Sequence, residues 1–317
     1  MKKIKFINKN TAGTKLCLSI LVSIVCMTVS AQYNYPVRRG VAENPSTPLE
    51  ILRALAKDND RNVRKGVAEN PNTPAAILKE LAKDNDIRYS VAKNPNTPLE
   101  ILRKLAKDNN AGVRNSVAGN SNTPPEILKE LAKDSGDWAR SSVAKNRNTS
   151  VEVLKELAKD RDGGVRSSVA KNLNTPVEIL IELAKDNDQV RSGVAVNSNT
   201  PVAILKELAE DSNFWVRSGV AKNPNTPVAI LKELAKDNDR VRSYVAWSPN
   251  TPVAIFKELA NSKNYLIRKS VAGNRNTPIK LLKKLAKDND EYVRASVAKN
   301  PNTPVEALKE LAKDVGW

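Results

Sequence analysis

The motif Arg-x-x-Val-Ala occurs eleven times between Arg38 and Ala298, with its arginines 24 to 26 residues apart. A period of that length means one small unit used repeatedly, each copy burying its apolar face only against its neighbours. The changes in spacing fall in the Asp-Asn-Asp segment, which is therefore the loop that tolerates them. A chain of 317 residues otherwise suggests two domains. The repeat instead predicts a single array over 37–317, with 32–36 as a short lead.

Residues 62–84 show how one unit parses. Thr73 is expected to N-cap a second helix, its hydroxyl meeting an orphaned N–H, with Pro74 at the first helical position. Six units add a glutamate three residues after the threonine, namely Glu50, Glu100, Glu126, Glu152, Glu178 and Glu306, completing a capping box. Ile77, Leu78, Leu81 and Ala82 then form one apolar face. In the shorter first helix Val63, Val67 and Ala68 face inward, and part of it is expected to be 3₁₀. Asn70 is expected to end it in the left-handed conformation, with Pro71 preventing continuation. Neither helix is long enough to persist alone, so stability must come from stacking. Apolar residues never alternate with period two, which predicts an all-α fold without a sheet.

The pattern Val-Arg-x-x-Val-Ala-x-Asn-Pro-Asn-Thr-Pro-x-x-x-Leu-x-x-Leu-Ala-x-Asp resembles the bacterial variant leucine-rich repeat family across nearly all of 37–314. The resemblance implies a right-handed α-solenoid of eleven repeats, each alternating a short α or 3₁₀ helix with an α-helix, and a binding scaffold whose ligand the family does not fix. Leu-x-x-Leu-Ala-x-Asp followed by Val-Arg is also similar to half of a HEAT repeat. Ser150, Ser248, Phe256 and Ser262 depart from the pattern.

Residues 1–31 read as a cleaved signal peptide. Lys2, Lys3, Lys5, Lys9 and Lys15 precede an apolar run from Leu16 to Val29, and Val29-Ser30-Ala31 offers a small-residue cleavage site. The run is shorter than the ~20 residues a spanning helix needs. The expectation is an extracytoplasmic protein, periplasmic or secreted. Cleavage removes five lysines and no acid, taking the net charge from +17 to +12.

With no histidine anywhere and Cys17 and Cys26 both in the leader, the remaining chain can build no histidine triad, thiolate metal site or disulfide. Ser-x-x-Lys, as at Ser142/Lys145, has the spacing of a serine nucleophile with a lysine base. It recurs at Ser90, Ser168 and Ser296 and is a by-product of the repeat. Asp-x-Asp, as at Asp160/Asp162, lacks the later Gly and Glu of a calcium loop and reads as loop capping. The expectation is a non-enzymatic protein with no catalytic residue, cofactor or metal.

An aspartate closes the second helix in ten of the eleven units, four to six residues before the next arginine. This predicts an Arg–Asp ladder across the inter-helix turn that satisfies both charges and nearby carbonyls, with Arg64, Arg114, Arg140, Arg166, Arg217 and Arg294 against Asp108, Asp134, Asp160, Asp211 and Asp288. The glycine or serine two residues after each arginine reads as room for close packing.

Most second-helix lysines run beside a row of glutamates, a mixed-sign solvated surface. In units seven to ten the capping-box acid is gone, which leaves Lys206, Lys232, Lys257 and Lys283 less compensated. Aromatic residues gather in the same part of the chain. Trp215, Tyr244, Trp247, Tyr265 and Tyr292 with those four lysines form the candidate binding zone. The functional expectation is a scaffold binding a protein or peptide along its extended face. A lysine-rich binder of acidic polysaccharide or lipopolysaccharide is the alternative, and both export and the interleaved glutamates argue against nucleic acid.

Overall fold

Short α-helices succeed one another from Tyr35 to Ala312 in a computed structural model that describes residues 35–313. Among the described residues there are 22 helices and no strand. The expected signal peptide, 1–31, lies outside these residues. The chain divides into two compact units, Met1–Leu102 and Arg103–Trp317. In the first, the first helices Tyr35–Glu43, Arg61–Glu69 and Arg88–Lys93 stack in order. In the second, those from Ala111–Gly119 to Glu291–Lys299 do the same, with the second helices packed beside them.

Both kinds of helix are α, so no 3₁₀ first helix is needed; nine residues is the usual length of the first and seven of the second. Val63, Val67 and Ala68 are fully buried, and Ile77, Leu78, Leu81 and Ala82 line the other half of the core. Gly219 allows the closest approach between first helices: a Cβ there would lie 2.8 Å from the Cβ of Ala195.

Capping runs opposite to the expectation from sequence. The second helix Ala75–Leu81 has Pro74 as its N-cap and no side-chain cap. Thr73 instead turns back and donates to the Val67 carbonyl at 2.6 Å, satisfying an acceptor in the last turn of the first helix. Where Ser150 replaces the proline a side chain does cap the second helix, accepting from the Val153 N–H at 3.4 Å. The side-chain caps belong to the first helices: Asp60, Asn110, Asp162, Asn213 and Asp290 each accept from an N–H of the turn they begin. Here the second member of Asp-x-Asp has a plain structural task.

Asn70 is not left-handed; its φ of −66° and ψ of 122° are extended. It is there for its amide. Asn223, fully buried, donates from Nδ2 to the carbonyls of Ala195 at 2.8 Å and Asn197 at 2.7 Å in the preceding repeat. Asn94, Asn146, Asn172, Asn197, Asn274 and Asn300 repeat the arrangement. A second asparagine, Asn225, reaches back to the Ser198 carbonyl. These amides join loops that would otherwise leave buried acceptors unpaired.

The arginines form the third ladder, in a different register from the one expected. Arg140 gives Nε and Nη2 to both carboxylate oxygens of Asp160, twenty residues later, at 2.6 and 3.0 Å. Its Nη1 takes the Asp134 and Ser135 carbonyls just before it, at 2.9 and 3.2 Å. The preceding aspartate thus contributes its carbonyl, because its carboxylate already faces the previous arginine and caps its own loop at the Gly136 N–H. Arg64–Asp84, Arg114–Asp134, Arg166–Asp186, Arg191–Asp211, Arg217–Asp237 and Arg268–Asp288 pair in the same way. Arg114 also takes the carbonyl of Asp108, and Arg294 that of Asp288. Guanidinium contact holds the carboxyls of Asp134 and Asp186 below the ordinary carboxylate range, against the opposing effect of burial.

Candidate functional site

From Ala111–Gly119 to Glu291–Lys299 each first helix offers nine positions. The third and seventh are core, as is the eighth except at Ala298, the fourth is the ladder arginine, and the second and ninth face outward on one side, two turns apart. On the helix Phe214–Lys222 these outward residues are Trp215 and Lys222, both exposed. On Asp239–Trp247 they are Arg240 and Trp247, on Tyr265–Gly273 Leu266 and Gly273, and on Glu291–Lys299 Tyr292 and Lys299. Trp215, Trp247 and Tyr292 leave about half their surface to solvent, at 50%, 56% and 56%. Tyr265, at the first position of its helix, is also exposed, whereas Phe256 is core.

The structure therefore divides the zone expected from sequence. The five aromatic residues lie on first helices. Lys206, Lys232, Lys257 and Lys283 lie on second helices, each of the first three followed directly by a glutamate. Lys283 meets Glu306 at 3.6 Å, and Lys287, Glu306 and Glu310 line the depression beside it. The cations that reach the rings come from the first helices themselves. Lys222 Nζ sits 3.9 Å from the centroid of Tyr244, the Arg240 guanidinium 5.0 Å from Phe214 and Lys269 Nζ 5.9 Å from Tyr292. Such contacts are attractive because the ring face is electronegative. The rings also meet one another, Phe214 with Trp215 at 4.7 Å and Tyr265 with Tyr292 at 6.2 Å. Trp247 lies along the next first helix, where a Cβ on Gly273 would come within 3.3 Å of the indole.

Sequence reasoning missed the sign of this face. From Ala111 to Lys299 the second, fifth, sixth and ninth positions of the first helices hold no acid, while Lys145, Lys171, Lys222, Arg240, Lys269 and Lys299 all fall there. None of these six forms an ion pair among the described residues. Acids occur only at the first position, and two of them are engaged: Asp188 by Asn213 Nδ2, and Asp239 by Asn264 Nδ2 and Arg242. Aligning the first helices by their ladder arginine reveals the pattern, because the signal lies in position and not in overall charge.

Repeat nine, residues 239–262, carries the face at a break in all three packing devices. Tyr244 stands where Gly193 and Gly219 let neighbouring first helices touch, and it is half-buried under Lys222. Ser248 replaces the ladder asparagine, and its buried hydroxyl has no hydrogen-bond partner among the described residues. Ser262 replaces the ladder aspartate. Arg242 turns to Asp239 in its own helix instead, at 3.1 Å, and its Nε is buried without a partner among the described residues. The packed-away ladder residues elsewhere leave the face to its rings and cations.

Three of the repeats match a family model. The leucine rich repeat variant model matches residues 35–60, 61–86 and 293–315. Those three segments are leucine rich repeat variant repeats. The ladder asparagines, arginines and aspartates of the matched repeats recur in the units between them, except at Ser248 and Ser262. The chain is similar to a solved structure described as a leucine-rich repeat variant with a novel repetitive protein structural motif. Identity is 24%, over 70% of this chain and 84% of that one, with a TM-score of 0.42. It is similar also to the X-ray structure of YibA from Escherichia coli, at 16% identity over 90% and 98% of the two chains and a TM-score of 0.35. No curated protein matches the sequence. The described residues form a helical repeat array, and no helix among them is long and apolar enough to cross a membrane.

Proposed function

We propose that the protein is an exported, non-enzymatic scaffold that binds a protein or peptide partner on the outward face of its first helices between Phe214 and Lys299. One observation carries this reading: half-exposed aromatic rings and cations share that face, and its second, fifth, sixth and ninth helix positions contain no acid. Large rings on a rigid frame supply contact area at little entropic cost, and they are the residues most often found to dominate interfaces. Most second helices interleave lysine with glutamate, and Ile279–Leu285, which holds three lysines, has Glu306 and Glu310 beside it. Export rests on the leader sequence, and it places the partner outside the cytoplasm.

The test compares the protein with a Trp215→Ala/Trp247→Ala/Tyr292→Ala variant as baits in a cell-envelope extract. A partner retained by the first and lost by the second, with helical content equal, supports the reading. Equal capture by both baits contradicts it. Export has its own check: the mass of the protein recovered outside the cytoplasm is expected to match a chain beginning at Gln32, and an intact leader would refute cleavage there.

A further inference from the structure

We propose that the occupant of this face is an extended peptide segment in which carboxylates alternate with apolar side chains; the proposal rests on the reading above and names the chemistry of its partner. The charge argues for acid. Across four successive first helices, Lys222, Arg240, Lys269 and Lys299 stand outward with no acid among the second, fifth, sixth and ninth positions. A bound acidic segment meets cations there without displacing an ion pair of the protein's own. The rings argue for a peptide. Tyr244, Phe214 and Tyr292 each have a cation over one face. Phe214 and Trp215, like Tyr265 and Tyr292, are tilted against each other at 36° and 39°.

Nucleic-acid bases stack on open aromatic faces, and here Phe214, Tyr244 and Tyr292 each have one face occupied by a cation. Ring edges and the half-exposed Leu266 suit aliphatic and aromatic side chains instead. Spacing fits as well. Packed helices lie ~8–10 Å apart and an extended chain covers ~3.3–3.6 Å per residue. A segment of about eight residues therefore reaches from Trp215 to Tyr292, placing two or three residues on each repeat. Side chains that alternate up and down along such a segment present carboxylates to the cations and apolar groups to the rings between them.

The test uses fluorescein-labelled peptides of about twelve residues in which Glu alternates with Leu or Phe. The controls are the same peptides with Gln or Lys for Glu, heparin, and an oligothymidylate. The Glu peptides are expected to bind saturably, the Gln peptides about tenfold more weakly and the Lys peptides not at all. Trp215→Ala/Trp247→Ala and Lys222→Glu/Lys269→Glu are each expected to weaken the Glu peptides about tenfold, with unchanged circular dichroism. Equal binding of Gln and Glu peptides, still sensitive to the ring variant, overturns the acidic preference and leaves peptide binding on this face standing. Binding of every peptide unaffected by the ring variant overturns both. Binding of heparin or oligothymidylate without any peptide also overturns both and makes the face a polyanion site.

Discussion

Arg217 clamps two successive repeats: Nε and Nη2 hold both carboxylate oxygens of Asp237, and Nη1 holds the Asp211 carbonyl at 2.6 Å on the other side. Each arginine of this kind ties the end of one repeat to the end of the next. Both side chains are largely buried, at 16% and 15% exposure. Such a pair is costly to break because a desolvated carboxylate is left behind. Arg217→Ala is expected to destabilise the fold by about 2–4 kcal/mol. Arg217→Lys is expected to fall between, since an ammonium keeps the charge but cannot form the fork. Thermal unfolding of the three proteins checks this, and an unchanged midpoint for the alanine variant contradicts it.

The amide ladder predicts a substitution in each direction. Asn223→Ala removes two buried hydrogen bonds and leaves the Ala195 and Asn197 carbonyls without them, at a cost of about 2–3 kcal/mol. Ser248→Asn restores the missing rung in repeat nine and is expected to stabilise by about 1 kcal/mol. Denaturant midpoints measure both; destabilisation by Ser248→Asn would mean that Tyr244 holds the neighbouring loops too far apart for the rung to form.

Repeat nine also lacks its ladder carboxylate. Ser262→Asp gives Arg242 the partner that Arg217 and Arg268 possess, and its buried Nε an acceptor. The expected gain is about 1 kcal/mol, the scale of one added charged hydrogen bond net of desolvation. In an Arg242→Ala background the gain is expected to vanish, and a double-mutant cycle reads the coupling directly. A gain that survives loss of the arginine would refute the pairing.

Acid is expected to loosen the array. Arg114 and Arg166 hold the folded carboxyls of Asp134 and Asp186 below their ordinary range, against burial. Burial raises Asp160, Asp211, Asp237 and Asp288, but their arginines and loop N–H groups outweigh it and leave these four lowered as well. Because the unfolded chain then binds protons first, stability is complete above the unfolded carboxylate value of about 4. It is lost as pH falls through the lower folded values. The thermal midpoint should hold from about pH 7 to 5 and drop steeply below about pH 4, and Asp186→Asn should make that drop shallower. A midpoint unchanged down to about pH 2.5 would contradict the ladder's electrostatic role.

Repeat length, helix pairing and core were legible because they depend on which residues are apolar and how far apart they stand. Val67, Ala68, Leu78 and Leu81 lie where their spacing puts them. The roles of Thr73, Asn70 and Arg64 were not. In each case the residue type announced a polar partner, but the partner belongs to the opposite end of the unit or to the neighbouring repeat. Local capping rules favour partners within a few residues and point the wrong way here. The binding face was half legible for the same reason: Trp215 and Trp247 stand out in any reading, yet the cations that reach rings across repeats are Lys222, over Tyr244, and Arg240, over Phe214, not Lys206 and Lys232.

The central claim is that the first-helix face, and not the lysine row of the second helices, receives the partner. A photoreactive benzoylphenylalanine introduced in place of Trp247, or in place of Lys206, tests it with one partner and one gel. Crosslinking of the Glu-containing peptide from position 247 and not from position 206 is the predicted result. Crosslinking from position 206 alone would contradict it.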